Sequence, residues 1–478
     1  METQALEKTF ATHDEFNRKP IAENIIRLLT SDIDLSPMVI DGGWGTGKTE
    51  FCKKLIRLMQ EQQRDYQPVY IDAFRSDHSG EPLLALLAEI IKACTPEDTG
   101  EQPSEQRKNI TRKVAKAAGF VMKTVAKAAV GHVLKQNMED LAEGMSQIIN
   151  DEQEAKNAAT TVAGVATTLA SHSIDVTIDA TVEALLKEQI EAEKNLETLK
   201  SCLKELAADK PIILFIDELD RCRPDYAVDM LEVIKHVFDI ENVKVVLVTN
   251  TKQLRAAINH RYGVEVDAQK YLDKFLKYSF ALPEKVVAQT EQGRVWVSIH
   301  HFEQLIKGRD IGGVLFSRYR VMECINEMIK RNNLSLRETE RLVRFLEIYH
   351  SLSHGAGNEP LTLWLRVVGV FIFCFYPSLM DDINKNRTDA GEFAQLFNLQ
   401  SWPDMPDDPY DVKEVDVIAV MLILNSKIED SRFILQEASE QNSYWQARIA
   451  ERFGKRTMNL VLSILKETFR VLSLEQAA

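Results

Sequence analysis

Gly42-Gly43-Trp44-Gly45-Thr46-Gly47-Lys48-Thr49 follows the pattern GxxxxGK[ST], and this is the densest cluster of chemistry-bearing residues in the chain. Glycines at this density let successive backbone N–H groups curl toward one phosphate, and a helix starting behind them adds partial positive charge. Lys48 supplies a cation for the terminal phosphates, and the Thr49 hydroxyl is a hard oxygen ligand suited to Mg2+. The candidate nucleotide-binding set is therefore Gly42, Gly43, Trp44, Gly45, Thr46, Gly47, Lys48, Thr49 and the adjoining Glu50. A second group stands far downstream. Asp217 and Glu218 end the apolar run Ile212-Ile213-Leu214-Phe215-Ile216. Asp217 suits the carboxylate that holds Mg2+ beside a phosphate loop, and Glu218 is placed to orient or deprotonate the attacking water. Asn250 ends a third run, Lys244-Val245-Val246-Leu247-Val248-Thr249. It can hydrogen-bond the γ-phosphate or the water, or simply cap a loop.

These residues need a parallel sheet behind them. Met38-Val39-Ile40 predicts a buried strand before the glycines, and apolar residues at 51, 55, 58 and 59 predict a helix after them. Continuous apolar runs ending in polar tips mark strands buried on both faces. Val69-Tyr70-Ile71-Asp72-Ala73-Phe74 predicts a fourth strand, and Tyr278-Ser279-Phe280-Ala281-Leu282 before Pro283 a fifth. In an open parallel sheet, ligands gather at the strands' carboxyl ends, where Asp217 and Asn250 fall.

The 478 residues have room for two or three domains, with 45% hydrophobic and 27% charged residues. Only 20 glycines and 14 prolines exclude collagen-like and low-complexity classes. A formal charge of −14 argues against whole-surface attraction to nucleic acid or anionic lipid. The six cysteines stand far apart without a CxxC pair, which disfavours a disulfide framework or a zinc site. The first sixteen residues lack an apolar signal core, so a cytoplasmic location is expected. Residues 361–380 form an apolar stretch, but Arg366 within it and Pro377 near its end point to a buried core helix. Residues 157–174 carry no formal charge yet are mostly Ala and Thr, too weakly apolar to span a bilayer.

The loop Gly43-Trp44-Gly45-Thr46-Gly47-Lys48-Thr49 resembles the GxWGSGKT loop of KAP-family P-loop NTPases. Ile216-Asp217-Glu218-Leu219-Asp220-Arg221-Cys222-Arg223-Pro224 resembles that family's IDDLDRC-x-P segment, and Ala227, Leu231, Glu232, Ile234 and Lys235 continue it. The resemblance covers about 14–95 and 200–350. It implies an α/β fold: a P-loop NTPase three-layer sandwich with a five-stranded mainly parallel sheet of the additional-strand, catalytic-glutamate type. It also implies an ATPase using ATP and Mg2+, akin to switch NTPases, in a family whose bacterial members are often linked to phage exclusion. Two features depart from the pattern. Glu218 replaces the common second Asp, and the region between the motifs lacks the transmembrane helices of many relatives.

The expected organisation is a nucleotide core at 14–94 and 200–290, a helical insertion at 95–199, a helical lid at 291–355 and a C-terminal helical domain at 356–478. The insertion opens with 107–135, which holds eight Lys or Arg and no acid. Such a basic amphipathic stretch can lie on a membrane surface or nucleic acid, or pack within the protein or an oligomer. In the lid, Ser335-Leu336-Arg337-Glu338 predicts a capping box opening a helix. Arg337 is the candidate γ-phosphate sensor, with Arg341, Arg221 and Arg223 as competitors. The function these expectations compose is a Mg2+-dependent ATPase switch acting on a protein effector or a homo-oligomer, in antiphage defence. The rival is an ATP-stabilised scaffold with little turnover, at the membrane surface in one version of it. A small-molecule phosphotransferase fits less well, since it would not need the Asp217-Glu218 pair.

Overall fold

The computed structural model describes residues 9–94, 194, 196–208, 210–287, 293–307, 309, 321–353, 360–406, 412–427, 430–434, 439–453 and 460–475. The basic stretch 107–135 and the Ala- and Thr-rich stretch 157–174 lie outside them. The chain divides into two compact units between Leu282 and Pro283.

Five parallel strands build the first unit: β1 (Met38–Asp41), β2 (Gln67–Asp72), β3 (Ile212–Asp217), β4 (Val243–Thr249) and β5 (Tyr278–Ala281). Their order is β2-β3-β4-β1-β5, so β4 is an additional strand between the one leading to the glycine loop and the one ending in Asp217. Alternate residues serve opposite faces of a strand. Val39, Leu214, Ile216, Val245 and Leu247 enter one core, while Met38, Ile40, Phe215, Val246 and Val248 enter another. Both faces are therefore apolar and both are covered.

One face is covered by α1 (Lys19–Leu29) and α2 (Lys48–Gln62). In α1 the buried residues Ala22, Ile25, Ile26 and Leu29 follow the i, i+3, i+4, i+7 spacing of a single helical stripe. The opposite face is covered by α3 (Pro82–Cys94), α4 (Pro224–Val237) and α5 (Thr251–Tyr262). The result is a three-layer sandwich. Its register sets Asp41 beside Thr249 and Asp72 beside Asp217, so the polar tips line one edge of the sheet. The expected strand at 69–74 stops early. Asp72 accepts a hydrogen bond from the Arg75 backbone N–H and turns the chain into a short helix, Ala73–Ser76. A side-chain cap outweighs the apolar character of Ala73 and Phe74 there.

The second unit is mostly helical. It starts with an antiparallel pair, Lys285–Val287 with Arg294–Trp296, for which the sequence carries no clear signal. The helix α6 (Leu336–Leu352) opens with the expected capping box between Ser335 and Glu338. It shares one apolar core with α7 (Pro360–Phe375), α8 (Glu414–Leu424) and α9 (Val461–Leu472). Gly369 permits α7 and α9 to touch, because a Cβ there would sit 2.9 Å from Thr468 Cγ2. Arg366 in α7 is answered by the Tyr349 hydroxyl at 2.5 Å and Glu467 at 3.7 Å, so the apolar stretch packs as a core helix. Among the described residues, no helix is long and apolar enough to cross a membrane.

Candidate nucleotide site

The loop between β1 and α2 is shaped by two glycines. Gly47 takes φ 83°, a left-handed conformation that costs a side chain energy, and starts α2 without a side-chain cap. A Cβ on Gly42 would lie 2.8 Å from Thr46 Oγ1 and 3.3 Å from Lys48, so the first turn closes only over a bare backbone. The first N–H groups of any helix have no partner inside it, and α2 starts directly behind the loop. Lys48 is buried, with 8% of its surface exposed. Its ammonium donates to the carbonyls of Gly42 at 2.6 Å and Gly43 at 2.9 Å. Burial lowers its pKa below the ordinary lysine value, while Asp220, Asp217 and Asp41 push the other way.

Asp217 is 1% exposed at the tip of β3. Burial pushes its pKa up to about 6, against hydrogen bonds from the Thr49 side chain, the Glu218 backbone and the Tyr70 hydroxyl. The Glu218 N–H lies 2.8 Å from Oδ1, and the Tyr70 hydroxyl 3.1 Å from Oδ2. The loop hydroxyl and the strand-tip acid thus meet at one point. That donor set fits a hard divalent cation: two oxygens at one place, with a buried carboxylate that a bound cation would favour in its ionised form.

Glu218 follows with φ 60°, a left-handed backbone for a non-glycine residue, and its carboxylate lies 3.3 Å from Arg221. Asn250 sits at the tip of β4, where its side-chain oxygen caps α5 by accepting from the Lys252 N–H at 3.1 Å. Its capping role is thus occupied, whatever else the residue does. The Glu50 side chain pairs with Lys54 at 2.7 Å. Arg223 is held by Asp77, with Nε 3.0 Å from Oδ1 and a terminal nitrogen 2.7 Å from the backbone carbonyl. Arg337 is exposed in the first turn of α6 in the second unit, and Arg341 lies 5.7 Å above the rings of Phe345 and Phe375.

Four further residues frame the site. Asp41 accepts from the Gly42 N–H at 2.8 Å and from the Thr251 N–H at 3.0 Å, joining the loop to the start of α5. Arg18 is buried, donates to the Thr46 carbonyl at 3.2 Å, and stacks 4.8 Å over Phe16. Tyr70 holds Asp217, and Asp220 joins Trp44 to Thr249. Asp41 carries the same signal as Asp217, an acid directly after an apolar run. Nothing local in the sequence marks Tyr70, whose partner is 147 positions away.

Sheet order and loop together define a P-loop nucleoside-triphosphatase fold. The KAP family P-loop domain matches residues 18–353, and the chain belongs to that family. A curated relative, the phage T7 exclusion protein of Escherichia coli (strain K12), is 22% identical over 273 residues. The match takes in 56% of this chain and 33% of the relative, so the chain spans about a third of that protein's length. Among solved structures, the Aeropyrum pernix ORC2 protein in ADPNP–ADP complexes aligns over 95% of this chain and 94% of its own, with 12% identity and a TM-score of 0.33.

Proposed function

We propose that this protein binds ATP with Mg2+ in the loop at 42–50 and hydrolyses it. We further propose that the cycle switches a partner, either a protein effector or further copies of the chain, in defence against phage. The carrying observation is the meeting of Thr49 with Asp217, since a triphosphate and its cation need the loop and the acidic strand tip at one place. Lys48 would leave the Gly42 and Gly43 carbonyls for the β- and γ-phosphates, with Thr49 and Asp217 holding the cation. The cation supplies charge neutralisation of the phosphates. Glu218 would take the proton of the attacking water, which requires it to leave Arg221. Asn250 and Arg337 are proposed contacts to the γ-phosphate or water, and a cytoplasmic setting suits the reading. The defence role draws on the exclusion protein named above.

The test is Glu218→Gln. ATP binding should persist, measured by calorimetry, while phosphate release falls by about 10²–10⁴-fold. Release at the parent rate would remove Glu218 from the mechanism.

A second reading has its own support. The ion pair between Glu218 and Arg221 holds the proposed base in a resting position. ATP would then act chiefly as a structural ligand, adding about 2.7 kcal/mol at 100 times its Kd without turnover. A large ATP-dependent thermal shift with no phosphate release would select it.

A further inference from the structure

The phosphate-loop pattern GxxxxGK[ST] does not itself ask for a large side chain at Trp44. An indole is the largest apolar side chain, yet this one is 51% exposed, so burial does not explain it. What it does make is a hydrogen bond: Nε1 donates to Asp220 Oδ2 at 2.6 Å. The other oxygen of that carboxylate accepts from the Thr249 hydroxyl at 3.1 Å, and Thr249 is fully buried at the tip of β4. The Thr249 carbonyl in turn accepts from the Gly42 N–H at 3.3 Å. One carboxylate thus ties the loop after β1, the turn after β3 and the end of β4 into a closed ring of contacts.

Asp220 stands two residues after Glu218, in the 3-10 turn Leu219–Arg221. Leu219 between them is fully buried, and the Arg221 N–H bonds back to the Glu218 carbonyl at 3.1 Å. The turn is short and closed by its own hydrogen bond, so a contact that holds Asp220 also restrains the backbone of Glu218. Without its two donors the Asp220 carboxylate would be drawn toward the nearby Lys48 ammonium, where it would compete with a phosphate.

We propose that Asp220 is a positioning residue that clamps the phosphate loop, through Trp44, to the turn carrying Glu218, so that occupancy of the loop sets the placement of Glu218. The inference deepens the ATPase reading and rests on it. Its contact, however, has a readout independent of turnover. Of the five tryptophans, Trp44 alone precedes residue 283; the others are Trp296, Trp364, Trp402 and Trp445. The emission of the full chain minus that of Trp44→Phe therefore isolates the indole in the loop.

The experiment compares the parent, Trp44→Phe, Asp220→Ala, Asp220→Asn and the double variant Trp44→Phe/Asp220→Ala. Asp220→Ala should change the Trp44 emission before any nucleotide is added. Each single loss should lower kcat by about 10–100-fold, the usual cost of removing a group that orients an active one. Asp220→Ala removes the carboxylate and should leave ATP Kd near the parent value, Trp44→Phe frees it toward Lys48 and should weaken ATP binding, and the double variant should be no slower than Asp220→Ala. Asp220→Asn keeps an acceptor for the indole and should recover part of the rate. Losses that multiply in the double variant, or kcat and Kd failing together with the melting temperature, would mean a merely structural contact and overturn the proposal. Trp44 emission untouched by Asp220→Ala overturns the clamp whether or not phosphate is released. A changed emission in a parent that releases no phosphate overturns the hydrolysis reading and, with it, the coupling to Glu218.

Discussion

The nucleotide loop treats its buried charges differently from the second unit. In that unit two partly buried arginines meet carboxylates: Arg331 reaches Asp416 at 2.7 Å and Glu327 at 3.5 Å, and Arg366 reaches Glu467. Lys413 adds to Glu327 at 3.4 Å, and His301 faces Glu340 at 3.4 Å. In the first unit, Lys48 and Asp217 lie deeper, yet their close contacts are backbone carbonyls, hydroxyls and a backbone N–H. Neutral partners compensate a buried charge only in part. A charge matched inside the fold stabilises one arrangement. Opposite charges held close together but answered by neutral groups leave room for a ligand that carries both signs, such as a phosphate with its cation.

The contrast is tested hardest at Lys48. Lys48→Ala should weaken ATP binding by about 100-fold or more, the equivalent of about 3 kcal/mol of charge-assisted hydrogen bonding. The ATP-dependent thermal shift should vanish while the unliganded protein melts near the parent temperature, because the variant removes a poorly matched buried charge. A large fall in unliganded melting would mean that Lys48 is structural, like Arg331. Gly42→Ala probes the same loop through shape. Its Cβ would press on Thr46 Oγ1, at a cost of about 1–3 kcal/mol that should appear in ATP affinity first.

Arg331→Met is the converse. It strands Asp416 and Glu327 at positions that are only partly exposed, costing about 2 kcal/mol. For a unit of this size that lowers the melting temperature by about 4–8 °C. ATP affinity should not change. An affinity loss as large as that of Gly42→Ala would erase the distinction drawn between the units.

Much of this contrast is legible in the sequence, and the illegible part has a physical cause. Phosphate chemistry compresses into a short contiguous loop, so Gly42 to Thr49 can be read directly. An acid at the end of an apolar run marks Asp217 equally well, because strand direction alone decides where that side chain emerges. Partnerships across the sheet are different. Tyr70 with Asp217 and Trp44 with Asp220 depend on strand order, and β4 entering between β1 and β3 follows from no local pattern. Asn250 shows a further limit. Its place at a strand tip fits a phosphate contact, yet its side chain caps α5, and both roles ask for the same residue type. In the second unit the capping box at Ser335 is legible from four residues, whereas the close approach of α7 to α9 at Gly369 depends on packing between distant segments.

The mildest expected effect concerns Asp217 and proton concentration. Its pKa rises from the ordinary 3.8 to about 6 on burial. Below pH 3.8 the carboxyl is protonated in both the folded and unfolded chain, and burial carries no ionic cost. Between 3.8 and about 6 the unfolded chain releases the proton while the folded one keeps it, so stability falls as pH rises. Above about 6 the cost is complete. Asp217→Asn removes it but also gives up one acceptor for the Thr49, Tyr70 and Glu218 donors, leaving a net gain of about 1 kcal/mol. The melting temperature of the variant minus that of the parent, without nucleotide, should therefore open between pH 4 and 6 and then level off. Mg2+ with ATP should close the gap above pH 6, because the cation favours the ionised carboxylate that the variant lacks. A difference that stays flat from pH 4 to 7 would place Asp217 among the matched charges of the second unit's kind, and the case for a cation at that strand tip would go with it.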